Sequence, residues 1–159
     1  YLVEYQSYEQ KLQILEQLIH RVNAQNILVF DNRIVELRNL QAFLVDRGFK
    51  SAFVYKTDEP RMANTDSANF IQEQIESFLA GKFRILLTTN LLSRGIDMRK
   101  VTLVVNFSLP IKIVGEDNSR TRSVDFETYL HRVGRTGRYS DEGVALTFLA
   151  DNTFIRKAE

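Results

Sequence analysis

Leu12-Gln13-Ile14-Leu15-Glu16-Gln17-Leu18-Ile19-His20-Arg21-Val22, followed by Asn23-Ala24-Gln25-Asn26 and Ile27-Leu28-Val29-Phe30, is the stretch that decides the fold. Leu12, Leu15, Leu18, Ile19 and Val22 recur at the spacing of one helical face. The run from Ile27 to Phe30 has no polar member, which is how a strand covered on both faces reads. Amphipathic helices alternating with such strands build an α/β sheet.

The alternation continues outward from there. Val35, Leu37, Leu40, Phe43 and Leu44 predict a second helix stopped by Gly48, and Ala52-Phe53-Val54-Tyr55 is strand-like. Phe70, Ile71, Ile75, Phe78 and Leu79 predict a third helix ending at Gly81. Ile85-Leu86-Leu87, the run from Val101 to Val105 and the run from Val144 to Phe148 supply further strands. The expectation is a single α/β domain over residues 1–159, a largely parallel central sheet with helices on both faces. Ligands of open parallel sheets bind outside the carboxyl ends of the strands. Asp31-Asn32-Arg33, Thr88-Thr89-Asn90 and Asn106 stand at those ends. Two stretches, residues 56–67 with Pro60 and residues 111–128, interrupt the pattern and read as surface loops.

Composition narrows the chemistry. With 159 residues, 44% hydrophobic and 26% charged, the chain is ordinary for a soluble globular domain. It has no cysteine, which removes disulfides, thiolate zinc sites and thiol catalysis from this chain. His20 and His131 are the only histidines and lack ligand-spaced partners, so no metal site is expected. No apolar run reaches membrane-spanning length and no signal peptide opens the chain. A cytoplasmic or nuclear protein with no membrane contact is therefore expected. A net charge of +1 means that any anion-binding surface is local. The chain opens at Tyr1 without methionine and stops in an apparent helix at Glu159, which reads as a piece of something longer.

The most informative segment is Tyr129-Leu130-His131-Arg132-Val133-Gly134-Arg135-Thr136-Gly137-Arg138. On a continuous helix, Arg132, Arg135 and Arg138 would share a face and repel. Gly134 and Gly137 would each cost about 1 kcal/mol relative to alanine inside a helix. Accepting both penalties suggests close backbone approach at an anion-binding cleft, where the planar guanidinium fork suits phosphate oxygens. The competing reading is a solvated basic turn, or arginines paired with acids elsewhere.

Residues 131–138 resemble the HRxGRxGR motif of DEAD-box RNA helicases. Thr88-Thr89-Asn90-Leu91-Leu92-Ser93-Arg94-Gly95-Ile96-Asp97 resembles that family's TTxxxxRGxD signature. Val104-Val105-Asn106-Phe107-Ser108-Leu109-Pro110 resembles the strand and turn that follow it, and residues 27–33 occupy the place of motif IV. The resemblance covers nearly the whole chain. It implies the C-terminal RecA-like domain of an ATP-dependent RNA helicase, with ATP and RNA bound between two domains.

Carried over residue by residue, the resemblance implies that Arg135 and Arg138 are arginine fingers, catalytic and nucleotide-binding. Asp97 would accept hydrogen bonds from the ribose hydroxyls. Thr89 and Gly95 would line the RNA backbone, while His131 and Arg132 organise an inter-domain network. Structural alternatives stand beside each assignment. Asp97 could cap a turn before Met98, Thr89 could be a strand-end or capping hydroxyl, Gly95 could serve backbone geometry alone, and Arg94 is read as pairing with an acid. No phosphate-binding GxxxxGK[ST] loop and no DEAD tetrad occur in the chain. ATP with Mg2+ would therefore be held by an N-terminal RecA-like domain in cis, and the isolated chain is expected to be inactive.

The sequence departs from the family at three places. Tyr55-Lys56-Thr57-Asp58-Glu59-Pro60-Arg61 stands where members carry His-Gly and then Gln-x-x-Arg, with Arg61 a candidate replacement. Motif IV ends in Asp31-Asn32-Arg33 where a small hydroxyl residue is common. The connection from Pro110 to Tyr129 is lengthened, as in the mRNA-export members that work at the nuclear pore. Those members also resemble the chain in Thr88-Thr89-Asn90 and Asn152-Thr153-Phe154. That likeness implies an activator protein and an inositol polyphosphate as partners. The alternative is a domain that serves mainly as a regulatory docking module with eroded RNA contacts.

Overall fold

A computed structural model of the chain describes residues 1–22, 24–55, 65–93, 100–115, 120–136 and 143–150, with the side chains of 65–67 outside the description. The strands are β1 (Leu2–Tyr5), β2 (Ile27–Phe30), β3 (Ser51–Val54), β4 (Ile85–Thr88), β5 (Leu103–Asn106), β6 (Ile111–Val114), β7 (Thr121–Val124) and β8 (Val144–Ala150). The helices are α1 (Tyr8–Arg21), α2 (Ile34–Asp46), α3 (Thr65–Leu79) and α4 (Phe126–Val133).

Six strands form one sheet in the order β1-β8-β5-β2-β4-β3, and every neighbouring pair is parallel. The central strands β2, β4 and β5 are buried at every position, as their unbroken apolar runs predict. Successive residues point to opposite faces. Ile27, Val29, Ile85, Leu87, Leu103 and Val105 pack with Leu15 and Ile19 of α1 and Leu37, Leu40 and Leu44 of α2. Leu28, Phe30, Leu86 and Val104 pack on the other side with Ile75 and Phe78 of α3. Each such side chain taken fully out of water contributes about 1.5–3 kcal/mol.

Local signals set the helix ends. Ser7 caps α1 by accepting from Gln10 N at 3.1 Å, and the Gln10 side chain accepts from Gln6 N at 2.7 Å. Gly48 (φ 79°) and Gly81 (φ 76°) take the left-handed conformation that ends α2 and α3. The returning bonds Phe49 N to Leu44 O and Lys82 N to Ser77 O close both ends. Arg84 donates to the carbonyls of Ile19, Val22 and Ala24, satisfying the end of α1 where β4 begins.

Three expectations need correction. Residues 111–128 are not a plain loop. β6 and β7 form an antiparallel hairpin, and α4 begins at Phe126. Asp125 N donates to Pro110 O at 2.9 Å and closes the hairpin's neck. The signal was the β-branched pair of runs Ile111-Lys112-Ile113-Val114 and Thr121-Arg122-Ser123-Val124, whose outward exposure hides any core-facing period. The third helix begins at Thr65, several residues before Phe70, the first of its apolar series; residues 56–64 lie outside the description. The N-terminal β1, which the periodicity did not predict, pairs with β8 as an edge strand. The expected helix near Glu159 and the tail Asn152-Thr153-Phe154 lie outside the described residues.

Candidate functional site

The polar residues at the carboxyl ends of β2, β4 and β5 converge on one side chain. Arg132, on the last turn of α4, is fully buried. Its Nε donates to Asn90 Oδ1 at 2.8 Å, and Nη2 donates to Asn90 Oδ1 and, at 2.7 Å, to Asn32 Oδ1. Its Nη1 donates to Ser108 O at 2.8 Å and to Asn106 Oδ1 at 3.4 Å. The guanidinium also lies 5.1 Å from the centre of the Phe30 ring. One side chain thus ties the segments after three adjacent strands to α4.

A second layer fixes the acceptors. Asn32 donates from its backbone to Ser108 Oγ at 3.0 Å and from Nδ2 to Leu109 O at 2.6 Å. Asn106 Nδ2 donates to Thr147 Oγ1 at 3.2 Å, which fixes its oxygen toward Arg132. Asp31 accepts from Arg33 N at 2.8 Å. Burial raises the Asp31 carboxyl, opposed by that backbone donor, by Lys11 and by the Ser108 hydroxyl. Burial pushes the Arg132 guanidinium down to about 10, opposed by Asp31 and Asp125. At neutral pH it stays charged. All of its hydrogen-bond acceptors are neutral oxygens. No carboxylate contacts it, and Asp31 and Asp125 offset its charge only through space.

α4 starts at Asp125, whose carboxylate accepts from Thr128 N at 3.1 Å and from the Thr128 hydroxyl at 2.6 Å. It ends at Val133 with Gly134 as its C-cap, so the arginines do not continue along one helical face. Gly134 therefore avoids the helix-interior penalty. A Cβ there would meet Leu130 O at 3.1 Å, a tight approach that disfavours a larger residue in this turn. Arg135 stands in the turn with 7% exposure, its Nε donating to His131 O at 3.1 Å. Thr136 Oγ1 donates to Val101 O at 2.7 Å. The turn carrying Arg135 is anchored on both sides, by Arg132 and by Thr136.

The structure brings Arg132, Arg135, His131 and Thr89 to the carboxyl edge or its adjoining turn. His131 is half-exposed, with Nε2 3.6 Å from Glu127 Oε1 one turn earlier. Thr89 follows the end of β4 and precedes a single turn of 3₁₀ helix (Asn90–Leu92), to which its side chain makes no capping bond, so of the two alternatives the strand-end hydroxyl stands. The neighbouring Thr88 hydroxyl is buried without a hydrogen-bond partner. Arg94, Gly95, Asp97 and Arg138 lie outside the described residues. The resemblance implied an inter-domain network for Arg132; within this chain it bonds Asn32, Asn90, Asn106 and Ser108. Sequence reasoning missed Lys11, buried on α1 with Nζ 3.8 Å from the Phe107 ring centre and 4.7 Å from that of Tyr5. Among the described residues no group of three His, Cys, Asp or Glu could hold a metal ion, and no helix is long and apolar enough to cross a membrane.

Comparison with known proteins bears on the family. Residues 10–140 match the model of the helicase conserved C-terminal domain. The ATP-dependent RNA helicase dbp5 of Botryotinia fuckeliana is 35% identical over 141 residues, covering 89% of this chain and 27% of that protein. The S. cerevisiae Dbp5 structure bound to RNA and ADP BeF3 superposes with a TM-score of 0.76 at 27% identity, over 95% of this chain and 35% of that one. A S. cerevisiae Dbp5 variant bound to a Gle1 variant and IP6 gives the same TM-score, identity and coverage. The chain spans about a quarter or less of the length of the curated relatives it matches (27%, 16% and 15%).

Proposed function

The chain belongs to the helicase conserved C-terminal domain family, and we propose that it is the second RecA-like half of a DEAD-box RNA-dependent ATPase, supplying arginines to ATP held by an N-terminal domain in cis. One observation carries this reading. Arg132 is buried at the carboxyl edge with only neutral acceptors, next to the anchored turn that bears Arg135. That arrangement fixes the turn and with it the direction from which the neighbouring guanidinium groups approach an anion held at the edge.

In this proposal Arg135 and Arg138 contact the γ-phosphate and Asp97 holds the ribose. Thr89 and Gly95 line the RNA backbone, and His131 and Arg132 keep the edge in register for the neighbouring domain. The Nε bond of Arg135 to His131 O fixes the stem of that finger, which presents its charge when the domains close. Mg2+ is assigned to the N-terminal domain. ATP and RNA both span the two domains, so each favours the closed state and strengthens the other's binding. RNA contact through phosphates would be sequence-tolerant and weakened by salt. The relatives named ATP-dependent RNA helicases, and the solved relative bound to RNA and ADP BeF3, support this assignment. The relative bound to Gle1 and IP6 supports an activator protein with an inositol polyphosphate as partners. We place the protein in mRNA export or RNP remodelling, in the cytoplasm or nucleus and at the nuclear pore.

In the intact protein, Arg138→Ala should lower ATP turnover by about 10³–10⁵ while nucleotide binding survives. That corresponds to roughly 4–7 kcal/mol of barrier, beyond what any surface ion pair supplies. Turnover unchanged by the substitution would remove the finger role. RNA-stimulated hydrolysis by the purified 159-residue chain would defeat the split-site reading.

A second reading, mainly a regulatory docking module, draws on the β6–β7 hairpin. It lies outside the main sheet and exposes Ile111, Ile113 and Val114. Activator binding that survives Arg135→Ala with Arg138→Ala, but not removal of the hairpin, would favour it.

A further inference from the structure

The edge of the sheet formed by β3 carries a groove that the nucleotide edge does not use. β3 pairs with β4 alone, so among the described residues no strand meets its outer side. Natural edges refuse a partner with charges or prolines. Ser51-Ala52-Phe53-Val54 has neither, whereas β1 at the opposite edge carries Glu4. A groove of about 470 Å³ runs along this edge between α2 and α3.

Its lining is mixed, with Ala52 and three aromatic rings beside the polar Arg38, Gln41, Ser51 and Gln74. Phe53 and Tyr55 stack with ring centres 4.7 Å apart and present a flat wall. Phe70, 53% exposed, stands across from them on α3 with Gln74 beside it. Arg38 and Gln41 line the α2 side, and Gln41 Nε2 donates to Ser51 O at 3.5 Å. The Ser51 hydroxyl is buried without a partner. Val35, Ala42 and Val45 recur around Arg38 at helical spacing, and all three are exposed. An exposed apolar stripe beside an unpaired strand edge is an unusual pairing on a soluble domain.

Charge decides the occupant. Arg38 is the only charged side chain in the described lining, its Nη2 3.3 Å from the Tyr55 hydroxyl, and it makes no salt bridge among the described residues. We propose that this groove receives an extended peptide segment of a partner protein, which adds as a strand beside β3, seats alternate apolar side chains against Phe53, Tyr55 and Phe70, and offers a carboxylate to Arg38. Main-chain pairing supplies affinity, and the alternate side-chain contacts supply specificity. The inference depends on the sheet edge and not on the nucleotide reading, so either can fail alone.

Selection of phage-displayed random linear peptides, about twelve residues long, on the immobilised chain tests it. Enriched sequences should alternate apolar residues and carry one recurrent acid. The best of them, made synthetically, should bind Arg38→Glu and Phe70→Ser chains at least about tenfold more weakly. Both side chains are exposed or on the rim, and unchanged circular dichroism would show that the variants fold. N-methylation of every second peptide nitrogen should abolish binding in one register and spare it in the other, and amide shifts should move at residues 51–55. Failure to enrich any peptide, or binding indifferent to both substitutions and to N-methylation, overturns the proposal. Loss of single-stranded RNA binding by Arg38→Glu, with no peptide competing, overturns it equally and assigns the groove to RNA.

Discussion

Replacing Arg132 with methionine tests whether one buried guanidinium holds the carboxyl edge together. The change removes five hydrogen bonds to four acceptors: the side-chain oxygens of Asn32, Asn90 and Asn106 and the carbonyl of Ser108. Asn90 is exposed and Asn32 half-buried, so water replaces the guanidinium there. Asn106 is fully buried, as is its bond to Arg132, whereas Ser108 is half-buried like Asn32. The orphaned Asn106 oxygen costs about 1–3 kcal/mol, and the half-buried acceptors less than that each. Methionine offsets part of that, because it escapes the desolvation borne by the buried cation and still packs on Phe30. A net loss of about 2 kcal/mol is expected, which lowers the urea midpoint by roughly 0.7–2 M. Arg132→Lys keeps the charge without the planar fork, and should recover no more than about half of the loss. Urea titrations of the three chains at neutral pH, followed by far-ultraviolet circular dichroism, measure both differences. A loss below about 1 kcal/mol for methionine, or a lysine variant indistinguishable from the parent, would refute the tie.

Lys11 gives a pH signature. Burial pushes its ammonium down to about 8 from an ordinary 10.5, with Asp31 and Glu36 opposing and Arg33 reinforcing the shift. Between those values the unfolded chain binds more protons than the folded one, so stability rises with pH across that window. Compared with Lys11→Met, the parent should gain up to about 3 kcal/mol from the bottom to the top of the window, less whatever the Phe107 and Tyr5 rings return to the ammonium. Parallel stability profiles for the two chains would sink this account. At Gly48, where φ is 79° and nothing obstructs a Cβ, alanine should cost about 1 kcal/mol through backbone strain alone; thermal unfolding of Gly48→Ala that matches the parent would contradict it.

The central architecture was legible in the sequence because a strand buried on both faces is apolar along most of its length, with polar residues only at its carboxyl end, here Thr88 and Asn106. The runs at 27–30, 85–87 and 101–105 could be read without knowing what they touch. The same holds for the glycine stops at 48 and 81, since local backbone geometry selects that residue type. The hairpin and β1 were harder. Their burial is partial or absent, and four-residue runs in solvent carry no periodic signature of a core.

The family, the parallel sheet and the edge where chemistry would gather could be read from the residues alone, because those follow from periodicity and from an ordered string of motif residues. What Arg132 does emerged from the folded packing. Its partners at 32, 90 and 106 lie 100, 42 and 26 residues away. Nothing local selects one asparagine over another as an acceptor. The parallel register of β2, β4 and β5 sets their carboxyl ends side by side, and burial then requires every donor of the guanidinium to find an oxygen there.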